Sequence, residues 1–125
     1  MTTIRSLLLP WALCAPLAAA AASDPDWPRS CDENQQTMNA CAYQRAEKAD
    51  RELNALYGPL AKGEDTDGRK KLLAAQRAWI QYRDLECAYE GAEAEGGSLQ
   101  PQLIADCRNT LTRQRIADFK RLAHP

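Results

Sequence analysis

The cysteines are the residues whose chemistry is most readily predicted from their number and position. There are five of them in the 125-residue sequence: Cys14, Cys31, Cys41, Cys87 and Cys107. Cys14 lies in an N-terminal segment with one basic residue, an apolar stretch and a run of alanines, which is the layout of a secretory signal peptide. Removal of residues 1–22 leaves four cysteines, an even number, in a compartment where thiols oxidise to disulfides. We therefore predict a periplasmic or secreted protein with two disulfides.

The leader has two alternative interpretations. A transmembrane helix needs about 20 apolar residues, whereas Pro10 and Pro16 interrupt a shorter run here. A lipid anchor on Cys14 requires small residues just before the cysteine, and the bulky Leu13 disfavours it. We expect cleavage and no membrane attachment of the mature chain, with lipidation at Cys14 as the alternative.

The sequence lacks the residue patterns that catalysis and cofactor binding usually require. The only histidine is His124, next to the C-terminus, and the cysteines show no Cys-x-x-Cys spacing for zinc, haem or thiol exchange. The pair Gly96-Gly97 is not part of a phosphate-binding loop. Acid pairs for sugar cleavage rarely occur on helices without a cleft. We predict no catalytic residues, no metal, no cofactor and no enzymatic activity.

Charge is distributed unevenly. Without Arg5, the mature chain has 15 basic and 17 acidic side chains, a formal charge of −2, which argues against a nucleic-acid partner. No Lys or Arg occurs between positions 84 and 106, where six acids lie: Asp84, Glu86, Glu90, Glu93, Glu95 and Asp106. Five basic residues and one acid follow between 108 and 121. The acidic segment is interpreted either as a solvated helix end or as a surface that attracts a basic partner.

Apolar periodicity predicts the elements that must position these groups. Residues 23–35, with Pro25 and Pro28, form an extended lead-in to a single domain over 36–123. The first helical stripe consists of Met38, Ala42, Ala46, Ala49, Leu53, Leu56 and Leu60. Gly58-Pro59 predicts an end or kink near Tyr57, and residues 61–68 are expected to form a loop.

Two further helices follow. The second covers 69–89 with an inner stripe of Leu72, Gln76, Trp79, Ile80, Arg83 and Cys87. Residues 91–97 break it, and Ser98 caps a third helix. That helix has an inner face of Leu103, Cys107, Leu111, Phe119 and Leu122, flanked by Ile104 and Ile116. We predict an all-α fold, a small antiparallel three-helix bundle.

The bundle topology constrains the disulfides. Antiparallel helices bring all four mature cysteines to one end, where three pairings are possible. We favour Cys31–Cys41 with Cys87–Cys107, because each bridge closes a short loop next to a helix end.

Two polar residues interrupt the apolar stripe of the second helix. Gln76 and Arg83 are costly to bury unless they are paired. One interpretation is structural: Arg83 contacts a carboxylate such as Asp50, and Gln76 bonds to a backbone group. The other is a contact surface of Trp79, Tyr82 and Arg83, because these residue types dominate binding interfaces.

The same residues carry a family resemblance. The segments Met38-Asn39-Ala40-Cys41-Ala42, Ala49-Asp50-x-x-Leu53-Asn54-x-x-Tyr57, Gln76-Arg77-Ala78-Trp79-Ile80-x-Tyr82-Arg83-Asp84-x-x-Cys87 and Gly96-Gly97-Ser98, followed by Cys107, resemble the LprI-like lysozyme-inhibitor family. The resemblance spans Cys31 to Leu122. It implies a small helical domain of the bacterial envelope that binds a lysozyme, without family-wide inhibitory residues that can be transferred.

A lysozyme partner suggests where contact is expected. Animal-type lysozymes are basic, so Glu90, Glu93 and Glu95 are candidates for attracting one. The turn formed by residues 91–98, with Gly96, Gly97 and Ser98 at its tip, is the candidate for entering the cleft. The alternative function is a non-catalytic envelope adaptor or structural module. The lysozyme class and the oligomeric state are left open.

Overall fold

Three long α-helices and one short 3₁₀ turn make up residues 30–123, which the computed structural model describes. The helices are α1 (Gln35–Gly63), α2 (Thr66–Gly91) and α3 (Gln100–Ala123), and the 3₁₀ turn is Ala92–Ala94. These residues contain no strand, which confirms the predicted all-α bundle. The predicted signal peptide, most of the lead-in and His124 lie outside the described residues. No helix within 30–123 combines the length and apolar character needed to cross a membrane.

α1 begins with a capping box. The Asn34 side chain accepts a hydrogen bond from the Thr37 backbone N–H at 3.0 Å, and the Thr37 hydroxyl accepts one from the Asn34 N–H at 3.2 Å. The prediction near Tyr57 was an end or a kink, and the end is wrong: the helix continues through Pro59 to Gly63. A proline inside a helix costs about 3 kcal/mol. Packing of residues 56, 57 and 60 against the core offsets that cost.

The connection between α1 and α2 is shorter than predicted. Only Glu64 and Asp65 lie outside the helices, so the expected loop over 61–68 is wrong. The reason is a cap: the Asp65 carboxylate accepts a hydrogen bond from the Gly68 N–H at 2.7 Å and starts α2 early.

α3 is the central helix, because both other helices pack on it and barely contact each other. Small residues of α1, among them the buried Ala42, Ala46 and Ala49, let α1 lie close along α3. The buried core cluster is Ala49, Leu53, Ile116 and Phe119. The rings of Tyr57 and Phe119 have their centroids 6.2 Å apart at the edge of this cluster.

The inner faces differ from the prediction at three positions. Ile80 and Leu122 were placed on inner stripes but are 39% and 46% exposed, whereas Ile116, expected only to flank its helix, is buried. α2 explains the error at Ile80, because the buried residues of this helix are Gln76, Arg83, Cys87 and Gly91. α2 therefore turns the buried Gln76 and Arg83 toward the other helices, together with the partly buried Leu72 and Trp79.

Both predicted disulfides are present. Cys31–Cys41 and Cys87–Cys107 have Cα–Cα distances of 5.7 and 5.4 Å. The first ties the residues before α1 to its second turn, and the second joins α2 to α3. They lie at the same end of the bundle, as the antiparallel topology requires.

Glu52 connects α1 to α3 and should make stability depend on pH. It forms ion pairs with Lys120, whose Nζ lies 3.0 Å from Oε1, and with Arg113. Hydrogen bonds from Lys120 and then Arg113 lower the pKa of Glu52 from its ordinary value of 4.5. A lowered folded-state pKa gives stability that is present above the unfolded-state value and is lost as pH falls through the folded-state value.

We therefore expect Glu52→Gln to lower the free energy of unfolding at pH 7. The effect should be small, because both ion pairs of Glu52 lie on the surface. The difference from the wild type should vanish as pH falls to about 2. Urea denaturation at both pH values measures it. The same difference at the two pH values would contradict the assignment.

Candidate functional site

Arg83 is the centre of a buried polar network between the helices. Its side chain is only 7% exposed. NH1 donates to Asp50 Oδ1 at 2.7 Å, and Nε and NH2 donate to Asp84 Oδ1 at 3.0 and 2.9 Å. The predicted pairing of Arg83 with Asp50 is confirmed. The burial of this guanidinium favours the structural interpretation of Arg83 over its alternative place in a contact surface.

Thr112 and Arg108 of α3 complete this network. The fully buried Thr112 hydroxyl donates to Asp50 Oδ1 at 3.3 Å, and Arg108 NH2 donates to Asp50 Oδ2 at 3.3 Å. Sequence reasoning missed Thr112 because it placed no polar residue on the inner face of the third helix. A signal was available, since Thr112 follows Ala105 by seven residues and precedes Ile116 by four, which places all three on one helix face.

Trp79 lies between two guanidinium groups. The Cζ atoms of Arg83 and Arg115 are 5.2 and 5.8 Å from its ring centroid. Arg115 also lies 4.8 Å from the Phe119 ring, and its Nε donates to Gln76 Oε1 at 3.2 Å. Gln76 was predicted to bond to a backbone group. The prediction is wrong, because its hydrogen-bond partner is the Arg115 side chain. Trp79 is thus half-buried in the α2–α3 seam.

The turn between α2 and α3 is held in place from both sides. Gly91 packs directly on Ile104, and a Cβ atom at position 91 would overlap that side chain. Gly96 has φ +73°, in the left-handed region that favours glycine. Asn39 Nδ2 of α1 donates to the Ser98 carbonyl at 2.9 Å, and the Gly96 N–H donates to Gln100 Oε1 at 3.2 Å.

The start of α1 joins the same end of the bundle. Gln35 Nε2 donates to Asn39 Oδ1 and to Gln102 Oε1, both at 2.8 Å. Together with the two disulfides, these contacts make the end a rigid platform from which the tip residues Gly96, Gly97 and Ser98 remain exposed.

Four of the six predicted acids form no ion pair within residues 30–123: the partly buried Glu86, and the exposed Glu90, Glu93 and Glu95 at this platform. Asp84 is engaged by Arg83 and Asp106 by Arg45, both at 2.9 Å. The exposed Glu90, Glu93 and Glu95 take part in none of the ion pairs within residues 30–123. We call these three glutamates and the turn 92–99 the acidic end.

The basic residues of α3 do not neutralise the acidic end. Each of the five has a partner elsewhere: Arg108 with Asp50, Arg113 and Lys120 with Glu52, Arg115 with Gln76, and Arg121 with Asp118. The charge asymmetry seen in the sequence therefore becomes a negative surface at one end of the bundle and a set of intramolecular ion pairs and one hydrogen bond along the rest.

An open groove lies beside two of the glutamates. It is lined by Tyr89, Glu90, Ala92, Glu93 and Leu103 and has a volume of about 540 Å³. An apolar floor between two carboxylates suits the stem and cationic head of a lysine or arginine side chain. Among residues 30–123, no group of three or more His, Cys, Asp or Glu side chains is placed to hold a metal ion. The arrangement therefore suits recognition of a basic protein surface.

Comparisons with known proteins agree with this picture. The family described as Lysozyme inhibitor LprI matches residues 29–119. A protein of Rhizobium meliloti (strain 1021), which is itself named as uncharacterized, is 38% identical over 130 aligned positions that cover 94% of this chain and 90% of its own. No solved structure matches. The matched family region contains both disulfides, the Arg83 network and the acidic end.

Proposed function

Because the chain belongs to the LprI lysozyme-inhibitor family, which confirms the resemblance in its motifs, we propose that it is a non-catalytic inhibitor that binds a lysozyme outside the cytoplasm and blocks its cleft. The observation that carries this function is the acidic end, where Glu90, Glu93 and Glu95 are exposed and unpaired within the described residues. The two disulfides support an oxidising, extracytoplasmic location.

The acidic end attracts the target before contact. Animal-type lysozymes are basic, and complementary charge raises the association rate more than it raises the affinity of the final complex. The three glutamates form none of the ion pairs in the described part of the chain. Their field therefore extends into solvent toward a positively charged surface.

The rigid turn supplies the part that enters the cleft. A lysozyme cleaves glycan with two carboxyl groups that flank the scissile bond. Gly96 and Gly97 have no side chains and give the turn a thin edge, and Ser98 next to them exposes a hydroxyl that can donate to a carboxylate. The groove beside Glu90 and Glu93 receives a basic side chain from the cleft rim. Substrate is then excluded sterically.

The charge contribution is testable by titrating the protein against an animal-type lysozyme and following lysis of bacterial cell walls. We expect inhibition by the wild type. The triple variant Glu90→Gln/Glu93→Gln/Glu95→Gln should inhibit about tenfold more weakly at low ionic strength, through slower association. At about 1 M salt, where charges are screened beyond about 3 Å, the two proteins should converge.

A matched control removes three negative charges that lie outside the acidic end. Glu47→Gln/Glu64→Gln/Asp67→Asn changes the net charge equally but leaves the acidic end intact. It should inhibit like the wild type. Equal weakening by both triple variants would show that only net charge matters and would refute the acidic end as the binding site.

Failure to inhibit any lysozyme would refute the function itself. The adaptor alternative is separated by affinity purification from periplasm with and without added lysozyme. An adaptor retrieves an endogenous envelope protein when no lysozyme is present, whereas the inhibitor retrieves lysozyme only when it is added.

A further inference from the structure

A groove beside α1 begins at the Cys31–Cys41 disulfide and has a volume of about 380 Å³. It is lined by this bridge and by the side chains of Gln44, Arg45 and Lys48. Positions 41, 44, 45 and 48 lie along one face of α1, because residues three and four apart are neighbours on a helix. The alkyl stems of the polar side chains make the walls largely apolar. The groove can therefore hold an aromatic ring.

Two polar groups of this groove have no partner among residues 30–123. The Gln44 Oε1 atom is buried and accepts no hydrogen bond, which is unfavourable for an amide oxygen. Gln44 as a whole is only partly buried, so its amide can turn toward the groove. Lys48 is exposed and takes part in none of the ion pairs of the described residues. An occupant with an N–H donor and a negative charge would complement both groups.

The bridge fixes the direction of the chain that leads into α1. Asn34 caps the start of α1, whereas the Cα atom of Cys31 is held 5.7 Å from that of Cys41. Cys41 lies about 10 Å farther along the helix axis than the cap. Residues 31–34 therefore run back alongside the first two turns of α1. Continued in the same direction, the chain that precedes Cys31 reaches Gln44 and Lys48.

Residues 24–27, which precede the described residues, carry the chemistry that complements the groove. Trp27 combines a flat apolar ring with an N–H group that only donates, and Asp24 and Asp26 supply negative charge. Asp24 and Trp27 each precede a proline, which favours extended backbone. Four extended residues span about 13 Å. Trp27 can therefore reach any point between Cys41 and Lys48, which are about 10 Å apart along the helix.

We propose that residues 24–27 of the same chain dock in this groove, with the Trp27 ring against the Cys31–Cys41 bridge and its N–H donating to Gln44 Oε1. Asp26 then lies near Lys48. The segment is joined to the groove at Cys31, so docking is intramolecular and does not depend on protein concentration. Cys31 is exposed within the described residues, and the docked ring shields its sulfur from solvent. The lead-in therefore protects the disulfide that anchors it.

Nuclear magnetic resonance of the full chain, produced by export to the periplasm of an expression host, tests the contact. Nuclear Overhauser effects should join the Trp27 ring to the side chains of Gln44 and Lys48. The Trp27 N–H should exchange with solvent about tenfold more slowly than in Gln44→Leu, which lacks the acceptor. Equal exchange in the two proteins would contradict the hydrogen bond.

Reduction by dithiothreitol tests the protection of the bridge. The attacking thiolate needs access to a sulfur atom, so Trp27→Ala should speed the opening of Cys31–Cys41 about tenfold. The buried Cys87–Cys107 bridge of the same molecule is the internal control and should open at an unchanged rate. Tyr43→Ala, which removes an exposed ring of α1 that does not line the groove, should change neither rate. Lysozyme inhibition should be the same in all three proteins, because the groove lies outside the acidic end.

Three results would overturn the docking. The first is a wild type in which no Overhauser effect joins Trp27 to the groove. The second is an effect seen only between copies in a mixture of isotope-labelled and unlabelled protein, which would assign the groove to the lead-in of another molecule. The third is a Trp27→Ala variant whose two bridges open at the wild-type rates, or are both accelerated equally through a general loss of stability. Circular dichroism of each variant verifies that the helices are intact.

Discussion

Replacing Arg83 with methionine is expected to lower the free energy of unfolding by about 2–4 kcal/mol. Removal of one partner from a buried ion pair costs about 3–5 kcal/mol, because the other charge is left without compensation. Asp50 is 24% exposed and retains Arg108, which reduces the cost. In thermal unfolding the same change should lower the melting temperature by about 10 °C or more for a domain of this size.

Urea denaturation measures the effect, with Arg45→Met as the matched control. The Arg45–Asp106 pair is half exposed, so its loss should cost less than about 1 kcal/mol. Arg83→Lys should rescue little, because an ammonium group cannot donate to Asp50 and Asp84 in the planar geometry of a guanidinium. A stable Arg83→Met variant that fails to inhibit lysozyme would contradict the structural role and restore Arg83 as a contact residue.

Removal of the Cys87–Cys107 bridge by double replacement with alanine should cost about 3–5 kcal/mol. Opening a loop of 20 residues accounts for about 3 kcal/mol in the chain-entropy model. Loss of the fully buried Cys87 sulfur adds a packing defect beside α3. Replacing both cysteines avoids a free thiol that would form new bridges.

The other bridge provides the comparison. Cys31–Cys41 closes a loop of 10 residues and ties down only the segment before α1, so its removal should cost about 2–3 kcal/mol. Urea denaturation of both double variants, with mass spectrometry to verify the remaining bridge, gives the order. A larger loss from Cys31–Cys41 would contradict the view that α2 depends on its sulfur link to α3.

Local periodicity was sufficient to predict the number of helices and both disulfides. Antiparallel neighbours leave few ways to join Cys31, Cys41, Cys87 and Cys107, and short loops favour the pairs that form. The Arg83–Asp50 pair was also predictable, because a buried guanidinium requires a carboxylate.

What could not be predicted depends on tertiary contacts. Local propensity places a break at Pro59, but packing of its neighbours on the core keeps α1 helical. Apolar periodicity placed Ile80 inside, whereas α2 is oriented by Gln76 and Arg83, whose partners lie on the other two helices. Apolar periodicity is read from one helix at a time, so it does not include side-chain partners that are distant in the sequence.

The candidate site, too, could be predicted from the sequence only in part. The cluster of acids was evident from the sequence, but which of them are paired was not. Asp106 is neutralised by Arg45, 61 positions away, and Asp84 by the buried Arg83. Only the folded arrangement leaves Glu90, Glu93 and Glu95 both exposed and unpaired within residues 30–123, whereas the unpaired Glu86 is partly buried.

The sulfur bridges and the Glu52 ion pairs give the two halves of this molecule different chemical vulnerabilities. Reductants would open both disulfides at the end of the bundle that carries the proposed binding surface. Acid instead weakens the carboxylate clamp farther along α1 and α3. An environment that is acidic but oxidising would therefore loosen the distal body while leaving the proposed binding end covalently secured.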